Sequence, residues 1–291
     1  MLVSVIVATY NCAKYVKDTL DSVYRQTYKD IELIITDDCS NDNSVYMTTQ
    51  WIEEHRARFV NVIQTKTNIN SGVTANYNNG FKKASGEWVK CLDGDDLLTE
   101  NAIDCYVHCC LTKPQYTVWY SNEQSFNDQG LGDVHYSTLP SASVRRQMVY
   151  LLNNRLLGIC TATNFIHRKT FVSQGMFNEK YPMYQDGSPF LQSLANRHPI
   201  GVLDNVTLLK RENPKSLMHT ANPVMVQNIR DCHFYYTRYY LRYGMPLHYY
   251  NAWVTHFLST HDSNRMTVKT FGYFLRCFDL INIHKRICSF R

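Results

Sequence analysis

The sequence predicts an α/β protein: a doubly wound, mostly parallel sheet with flanking helices, followed by a helical C-terminal extension. Two observations lead to this fold class. In the first third of the chain, four runs of apolar, largely β-branched residues alternate with segments of helical periodicity, which is the pattern of a parallel sheet with right-handed crossovers. Polar loops follow the first, second and fourth runs, and such sheets bind ligands at the carboxyl ends of their strands.

Local sequence patterns predict the elements of the first part of the chain. Residues 2–9 are nearly all apolar, as expected of a central strand that is buried on both faces. A helix over 13–26 presents one apolar stripe, formed by Ala13, Val16, Leu20 and Val23. Further strands are expected at 31–36, 59–64 and 88–92. Further helices are expected after the polar loop 37–44 and at 73–84. A last helix, capped by Thr99, should run to about residue 112.

After residue 115 the alternation is less regular. We expect strands at 117–121 and 200–210, a strand-like segment at 159–166, and a hairpin or loop over 122–136. Helices are expected at 144–152 and from residue 167. Another helix should open at Gln185-Asp186 and run through Leu194. Residues 222–291 form the helical extension, which is rich in tyrosine and, over its last 27 residues, in Lys and Arg. Its basic amphipathic pattern is typical of a helix lying on an anionic membrane or of an ordinary packed helix, and both readings stay open.

Composition limits the classes of function. Hydrophobic residues make up 44% and charged residues 19%, as in globular proteins, and a net charge of +5 is too small to indicate nucleic acid as a partner. The ten cysteines show no Cys-x-x-Cys pair, which favours small core residues in a reducing compartment over zinc ligands. No apolar run is long enough to span a bilayer, and a strand from Leu2 leaves no room for a signal peptide. We therefore expect a cytoplasmic protein, either free or at the inner face of the cell membrane.

The most informative stretch is the acidic loop, Asp93-Gly94-Asp95-Asp96, which follows the fourth strand. Three carboxylates this close repel one another, and a cation would resolve the conflict. Hard oxygen ligands suit Mg²⁺ or Mn²⁺, which usually share their remaining positions with phosphate oxygens and water. The alternative is an ordinary surface turn, because Asp and Gly are turn formers.

Five ordered motifs resemble the N-terminal pattern of family 2 glycosyltransferases. They lie in the order and at the spacing of that family, at Ser4–Asn11, Leu20–Tyr28, Asp37–Ser44, Asn70–Gly86 and Asp93–Asp96. A lone D-x-D element is weak evidence, whereas the ordered set is specific. The resemblance implies a GT-A fold over residues 1–221, with a nucleotide-sugar half at about 1–112 and an acceptor half at about 113–221.

The resemblance also assigns residues to the donor, a UDP-hexose or UDP-N-acetylhexosamine. Thr9, Tyr10 and Asn11 would line the base pocket, with Tyr10 against the uracil ring, and Asp37 or Asp38 would accept the uracil N3–H. Gly72 and Asn78 belong to motifs expected on the donor side. Asp93 would reach the ribose or the metal, Asp95 would ligate Mn²⁺ or Mg²⁺, and Asp96 would assist or cap. Arg211 would steady the departing diphosphate, and His219 would be a third metal ligand.

Inverting members of the family need a carboxylate base for the acceptor hydroxyl. Asp186 is the best match, with Glu179 and then Asp204 as alternatives, and Asp186 could instead only cap a helix. Thr161 and Thr163 would offer hydrogen bonds on the acceptor side. Two departures from the family pattern are Tyr77, where many relatives have Arg, and Cys39, where Gly is usual.

The function expected from the resemblance is metal-dependent, inverting transfer of one hexose to a saccharide acceptor. Short members of the family that resemble this chain extend O-antigen or capsule repeat units on polyprenyl diphosphate, forming β-linkages. The chain lacks the Gln-x-x-Arg-Trp element of processive synthases, so transfer of a single sugar is expected. A nucleotidyltransferase, which normally has a Gly-rich phosphate loop near the first strand, and a non-catalytic carbohydrate or nucleotide-sugar-binding module are the alternatives.

Overall fold

The chain separates into two compact units, Met1–Thr220 and Ala221–Arg291. The computed structural model describes residues 1–137, 139, 143–153, 160–182, 185–186, 188–212, 239 and 242. The expected helical extension, 222–291, and the metal-ligand candidate His219 therefore lie outside the described residues, apart from Tyr239 and Arg242.

Within the described residues, the first unit is a mixed α/β structure built on one nine-stranded sheet, as the sequence predicts. Its strands are β1 Val3–Thr9, β2 Ile31–Asp37, β3 Asn61–Lys66, β4 Trp88–Asp93, β5 Leu97–Leu98, β6 Val118–Asn127, β7 Gly130–His135, β8 Phe165–His167 and β9 Ile200–Arg211. Its helices are α1 Val16–Tyr24, α2 Ser44–His55, α3 Val73–Lys83, α4 Ala102–Thr112, α5 Val144–Asn153, α6 Arg168–Ser173 and α7 Ser188–Ala195, with short 3₁₀ turns at Arg56–Arg58 and Thr161–Thr163.

The sheet has the order β3-β2-β1-β4-β8-β6-β9-β5, and β7 pairs with β6. The first four of these strands are parallel to one another, and β6 is parallel to β9. Strand β8 is antiparallel to both β4 and β6, so it joins the two parallel groups. The predicted hairpin is present as β6 and β7.

Strand β1 is the centre of the fold because it is covered on both faces. All seven of its residues are buried. On one face Val3, Val5 and Val7 belong to the same core as the apolar stripe of α1. On the other face Ile6 lies against Gly80 of α3, where an added Cβ would come within 2.4 Å of the isoleucine side chain. The glycine therefore sets how closely α3 approaches the sheet.

Three local expectations are wrong in detail. Thr99 does not cap α4, because its hydroxyl donates to Val206 O and its amide to Thr207 O, which holds Leu97–Leu98 against β9. The third strand begins at Asn61, since Phe59 packs against Trp51 in the core. The segment 159–166 is not one strand but a 3₁₀ turn followed by the short β8.

A buried lysine explains that turn. Lys90 in β4 is fully buried, and its ammonium donates to Ala162 O and, at 3.3 Å, to Asn164 O. It also lies 5.2 Å from the centroid of the Tyr106 ring. Its two carbonyl partners lie within and directly after the 3₁₀ turn, so the bonds pin the backbone there. Burial lowers the pKa of Lys90 to about 8.

Lys90 makes stability depend on pH in a defined direction. Its folded pKa lies below its ordinary value, so between pH 8 and 10 the unfolded chain holds a proton that the folded chain has released, and stability rises with pH. Relative to Lys90→Met, the free energy of unfolding of the wild type should rise by about 2 kcal/mol from pH 7 to 10. Urea unfolding measures this, with the exposed Lys83→Met as a control that should follow the wild type. Parallel curves for wild type and Lys90→Met would contradict the assignment.

Candidate active site

The carboxyl ends of three parallel strands bring the predicted donor residues together. In the register of the sheet, Thr9 in β1 lies beside Asp37 in β2, and Ala8 lies beside Asp93 in β4. The base-pocket motif and the acidic loop therefore occupy one edge of the sheet, as the polar loops in the sequence indicate. Asp186 is brought to the same region by the 3₁₀ turn that follows Cys160.

Asp37 and Thr9 are bonded to each other. The buried Asp37 carboxylate accepts the Thr9 hydroxyl at 2.9 Å and the Ser40 amide and hydroxyl at 2.8 and 2.6 Å. These bonds join the ends of β1 and β2 and fix the loop after β2. Both residues lie at the predicted pocket, and their described contacts are with the protein.

Asp38 organises the neighbouring loop in the same way. Its buried carboxylate accepts the amides of Gly72 and Ser71 at 2.7 and 2.9 Å and the Thr67 hydroxyl at 3.2 Å. Gly72 has φ +89°, a conformation that side chains rarely adopt, and an added Cβ would lie 2.4 Å from Pro182 O. Gly72 is therefore required by the backbone at this junction.

Tyr10 and Asn11 leave β1 as an exposed turn. Tyr10 is 44% exposed, so its ring is available to a planar ligand. Asn11 has φ +49°, its amide donates to Ser40 Oγ at 2.9 Å, and its side-chain oxygen accepts the Asn41 amide at 2.9 Å. Asn11 thus fastens the first loop to the second and presents Tyr10 beside them.

The acidic loop holds more negative charge than its surroundings neutralise. Burial raises the pKa of Asp93 to about 6, which the hydrogen bond from Tyr77 opposes and the charges of Asp95 and Asp186 reinforce. Burial also raises the pKa of Asp95 and of Asp96. Asp96 accepts the Arg211 amide at 2.9 Å, which fits a role in holding the loop.

These carboxylates fit a hard divalent cation. Oxygen donors of this kind suit Mg²⁺ or Mn²⁺, and a cation would stabilise the ionised carboxylates, whose pKa values burial raises. Within the described part of the chain, no three His, Cys, Asp or Glu side chains are arranged to hold a metal. Asp95 and Asp93 are the residues that would hold such a cation.

Tyr77, the departure from the family pattern, is a site residue that sequence reasoning did not assign. Its side chain is fully buried, and its hydroxyl donates to Asp93 Oδ1 at 2.5 Å. The ring packs against Phe177, with the centroids 5.9 Å apart. Tyr77 therefore fixes the position of one carboxylate oxygen of Asp93.

Arg211 is clamped against the acidic loop. Its guanidinium lies between the Tyr15 and Phe126 rings, 4.6 and 4.5 Å from their centroids, and donates to Asp95 O at 2.9 Å and to Asp18 at 3.1 Å. Only 9% of its side chain is exposed. These contacts make Arg211 a support for the loop; its predicted contact with the departing diphosphate stays a prediction.

Asn78 joins the two halves of the domain. Its buried amide donates to Phe177 O at 2.9 Å and to Glu179 at 2.7 Å, and it accepts the Phe177 amide at 3.1 Å. Glu179, the alternative base, also lies 3.7 Å from the Lys82 ammonium. The described contacts give Asn78 and Glu179 a role in holding the segment that leads to Asp186.

Asp186 is oriented by one residue of the acceptor half. Its Oδ1 accepts the Thr161 amide at 2.7 Å and the Thr161 hydroxyl at 2.6 Å. Burial raises its pKa, which these bonds and the charge of Lys210 oppose. The charge of Asp186 in turn raises the pKa of Asp93, so the two carboxylates lie within electrostatic reach of each other.

The remaining candidates lie elsewhere. The Thr163 hydroxyl donates to Cys160 O, so its hydrogen bond is made locally, at the 3₁₀ turn. Asp204 lines a cavity of about 580 Å³ together with Trp119 and Ile200. These two residues belong to the amino-terminal ends of β6 and β9, whereas the acidic loop meets Arg211 at the carboxyl end of β9. Asp204 is therefore separated from Asp186 and the acidic loop.

Comparison with known proteins identifies the family. The model of glycosyl transferase family 2 matches residues 4–171. An Escherichia coli protein named UDP-Glc:alpha-D-GlcNAc-diphosphoundecaprenol beta-1,3-glucosyltransferase is 34% identical over 121 residues, which is 42% of this chain and 45% of that protein. An uncharacterized glycosyltransferase from Nostoc is 40% identical over 97 residues, 33% of this chain. The matched part spans only 29% of the Nostoc protein and 30% of two Rickettsia relatives.

Solved structures support the same fold. The Staphylococcus aureus protein TarS, residues 1–349 in complex with UDP-GlcNAc, matches with a TM-score of 0.68 and 18% identity, covering 97% of this chain and 89% of that one. The complex of TarS with UDP matches with a TM-score of 0.62 and 19% identity over the same shares. This likeness confirms the GT-A fold. Because the family model spans more than half of the chain, and the sheet and its ordered motifs agree with it, this chain belongs to glycosyl transferase family 2.

Proposed function

We propose that this glycosyltransferase moves one sugar from a UDP-sugar to a hydroxyl of a saccharide acceptor, with inversion at the anomeric carbon. The observation that carries the proposal is the pairing of Asp186 with the acidic loop. A half-buried carboxylate with a raised pKa, oriented by Thr161, lies within electrostatic reach of Asp93 at the carboxyl edge of the sheet. A base facing a diphosphate-binding loop is what in-line displacement requires.

The donor is proposed to be a uridine diphosphate sugar. The exposed Tyr10 ring offers a stacking surface for the base, and the Asp37 and Asp38 carboxylates lie at the adjoining loop, where either could accept an imide N–H. The names of similar proteins support the choice, since the Escherichia coli relative is named for UDP-Glc and TarS was solved with UDP-GlcNAc.

The chain's own residues then perform the reaction. Thr161 holds Asp186 so that its carboxylate accepts the proton of the acceptor hydroxyl. The hydroxyl oxygen forms a bond to C1 of the sugar from the face opposite the diphosphate, and the bond from C1 to the diphosphate oxygen breaks, releasing UDP. An α-linked donor thus gives a β-linked product. A divalent cation held by Asp95 and Asp93 would supply charge that stabilises the departing diphosphate.

The acceptor is proposed to be a saccharide on a polyprenyl diphosphate at the inner face of the cell membrane, in the synthesis of a bacterial surface polysaccharide. The support is the name of the Escherichia coli relative, which acts on an undecaprenol-linked sugar, together with the basic, aromatic pattern of residues 222–291. Within the described residues, no helix is long and apolar enough to cross a membrane.

Donor binding is tested by thermal stabilisation. With Mn²⁺ and a UDP-sugar at about a hundredfold excess over its dissociation constant, the folded state should gain about 2.7 kcal/mol. Asp95→Asn should lose the part of this gain that depends on Mn²⁺, while Asp204→Asn, an exposed aspartate away from the site, should keep it. Absence of stabilisation by any UDP-sugar in the wild type would instead favour the nucleotidyltransferase or binding-module alternatives.

The base is tested by Asp186→Asn. Because a positioned general base contributes roughly 10²- to 10⁴-fold, kcat should fall by such a factor while the Kd for UDP stays within about twofold. In the wild type, the raised pKa of Asp186 should place the acidic fall of kcat/KM above the usual aspartate range, since the base works only when ionised. Glu179→Gln, the matched control, should retain most of the wild-type kcat. A wild-type rate in Asp186→Asn would contradict the proposed mechanism.

The contact from Tyr77 to Asp93 is tested by Tyr77→Phe. Loss of a hydrogen bond to a buried carboxylate costs about 1.5 kcal/mol or more, so the Kd for UDP with Mn²⁺ should rise by roughly tenfold in calorimetric titrations. Tyr106→Phe removes a buried hydroxyl that bonds Ser121 and Thr207 instead, and should change stability without changing this Kd. Equal effects of the two substitutions on UDP binding would show that Tyr77 acts only through stability.

A further inference from the structure

We infer that Lys210, rather than Arg211, is the side chain that contacts the diphosphate of the donor. The inference rests on the proposed function, because it assigns a phosphate contact within the same site. Sequence reasoning assigned that contact to Arg211 and gave Lys210 no role beyond the end of a strand. The two residues are neighbours at the end of β9, and successive side chains of a strand point to opposite faces.

The two side chains differ in what they have left to offer a ligand. Arg211 is 9% exposed, and it is held between two rings and bonded to Asp95 O and Asp18. Lys210 is 47% exposed, and its ammonium makes no hydrogen bond to any residue in the described ranges. Its one close partner there is Glu123, at 3.7 Å, which is longer than a charge-assisted hydrogen bond. Among the described residues, none accepts a hydrogen bond from its three N–H donors.

Glu123 keeps this ammonium in place. It lies on β6, which runs parallel to β9, and register shifts between Ser121 and Glu123 change which side chains face each other across the two strands. Only 15% of the Glu123 side chain is exposed, and its second oxygen is buried without a hydrogen-bond partner in the described part of the chain. Lys210 is therefore the group that this carboxylate holds.

Lys210 directly precedes Arg211, whose amide donates to Asp96 in the acidic loop at 2.9 Å, so the Lys210 ammonium lies within electrostatic reach of that loop and of the base. Its positive charge opposes the rise in the pKa of Asp93, Asp95 and Asp96, and it acts in the same direction on Asp186. The pKa of Lys210 is raised by Cys160 and then by Glu123, Asp186 and Asp96. Burial keeps the Cys160 thiol protonated at neutral pH, so the carboxylates are the charges that keep Lys210 a cation.

A diphosphate is the ligand that fits this ammonium best. The donor bound at the acidic loop brings phosphate oxygens, which are acceptors without donors, into a region where the described protein groups are mostly carboxylates. An exposed ammonium beside that loop supplies donors and positive charge where negative charge develops as UDP departs.

The test compares two probes, UDP and uridine, which share the base and ribose and differ by the diphosphate. Calorimetric titrations with Mn²⁺ should show that Lys210→Met raises the Kd for UDP by roughly tenfold and leaves that for uridine unchanged. Lys210→Arg, which keeps the charge, should recover most of the UDP affinity. The matched control is Lys82→Met, since the Lys82 ammonium is 3.7 Å from Glu179 and its side chain is 54% exposed; it should bind both probes as the wild type does.

The outcomes separate this inference from the proposed function. If the wild type binds UDP and Lys210→Met binds it equally well, or loses UDP and uridine affinity together, Lys210 does not contact the diphosphate and the proposed function stands. If the wild type binds neither probe, the proposed function fails and the inference fails with it. Selective loss of UDP affinity with recovery in Lys210→Arg supports the inference, because a merely structural lysine would not distinguish the two probes.

Discussion

The structure depends on one electrostatic constraint, the crowding of three aspartates within four residues at the carboxyl end of β4, where Asp96 is buried and Asp93 and Asp95 are half-buried. Burial disfavours their charged forms, and each charge disfavours its neighbours. The raised pKa values of Asp93, Asp95 and Asp96 show that the protein leaves this conflict partly unresolved. A site that binds a cation and a diphosphate needs this arrangement, because the ligands complete the balance of charge. The surrounding contacts keep the carboxylates in position until that happens.

Those contacts come from both halves of the domain. Tyr77 holds Asp93 from α3, and Arg211 holds the loop from β9. The junction between the halves is made by buried polar bonds: Asn78 to Phe177 and Glu179, and Thr74 to Tyr181 O at 2.7 Å. The same helix, α3, thus carries the support for Asp93 and the link to the segment before Asp186. The packing of α3 therefore sets the distance between the acidic loop and Asp186.

The sequence was sufficient for the parts of the fold whose signals are local. Four buried runs and their polar endings predict the parallel strands and the edge at which Asp37 and Asp93 meet. It was insufficient where tertiary contacts decide. Thr99 has the residue type of a helix cap, yet β9 supplies its partners. Residues 159–166 have the composition of a strand, yet the buried Lys90 holds a 3₁₀ turn there. The roles of Glu123 and Lys210 depend on the irregular register between β6 and β9, which no pattern along the chain reveals.

The central claim is that Asp186 activates a nucleophile for in-line displacement at a UDP-sugar held by the acidic loop. The most direct measurement needs no knowledge of the acceptor: proton NMR of the sugar first released when the enzyme, with Mn²⁺, slowly hydrolyses α-linked UDP-sugars such as UDP-GlcNAc. Water then takes the place of the acceptor hydroxyl. The β-anomer should form first and only later equilibrate with the α-anomer. Initial release of the α-anomer, or no cleavage of any UDP-sugar, would contradict it.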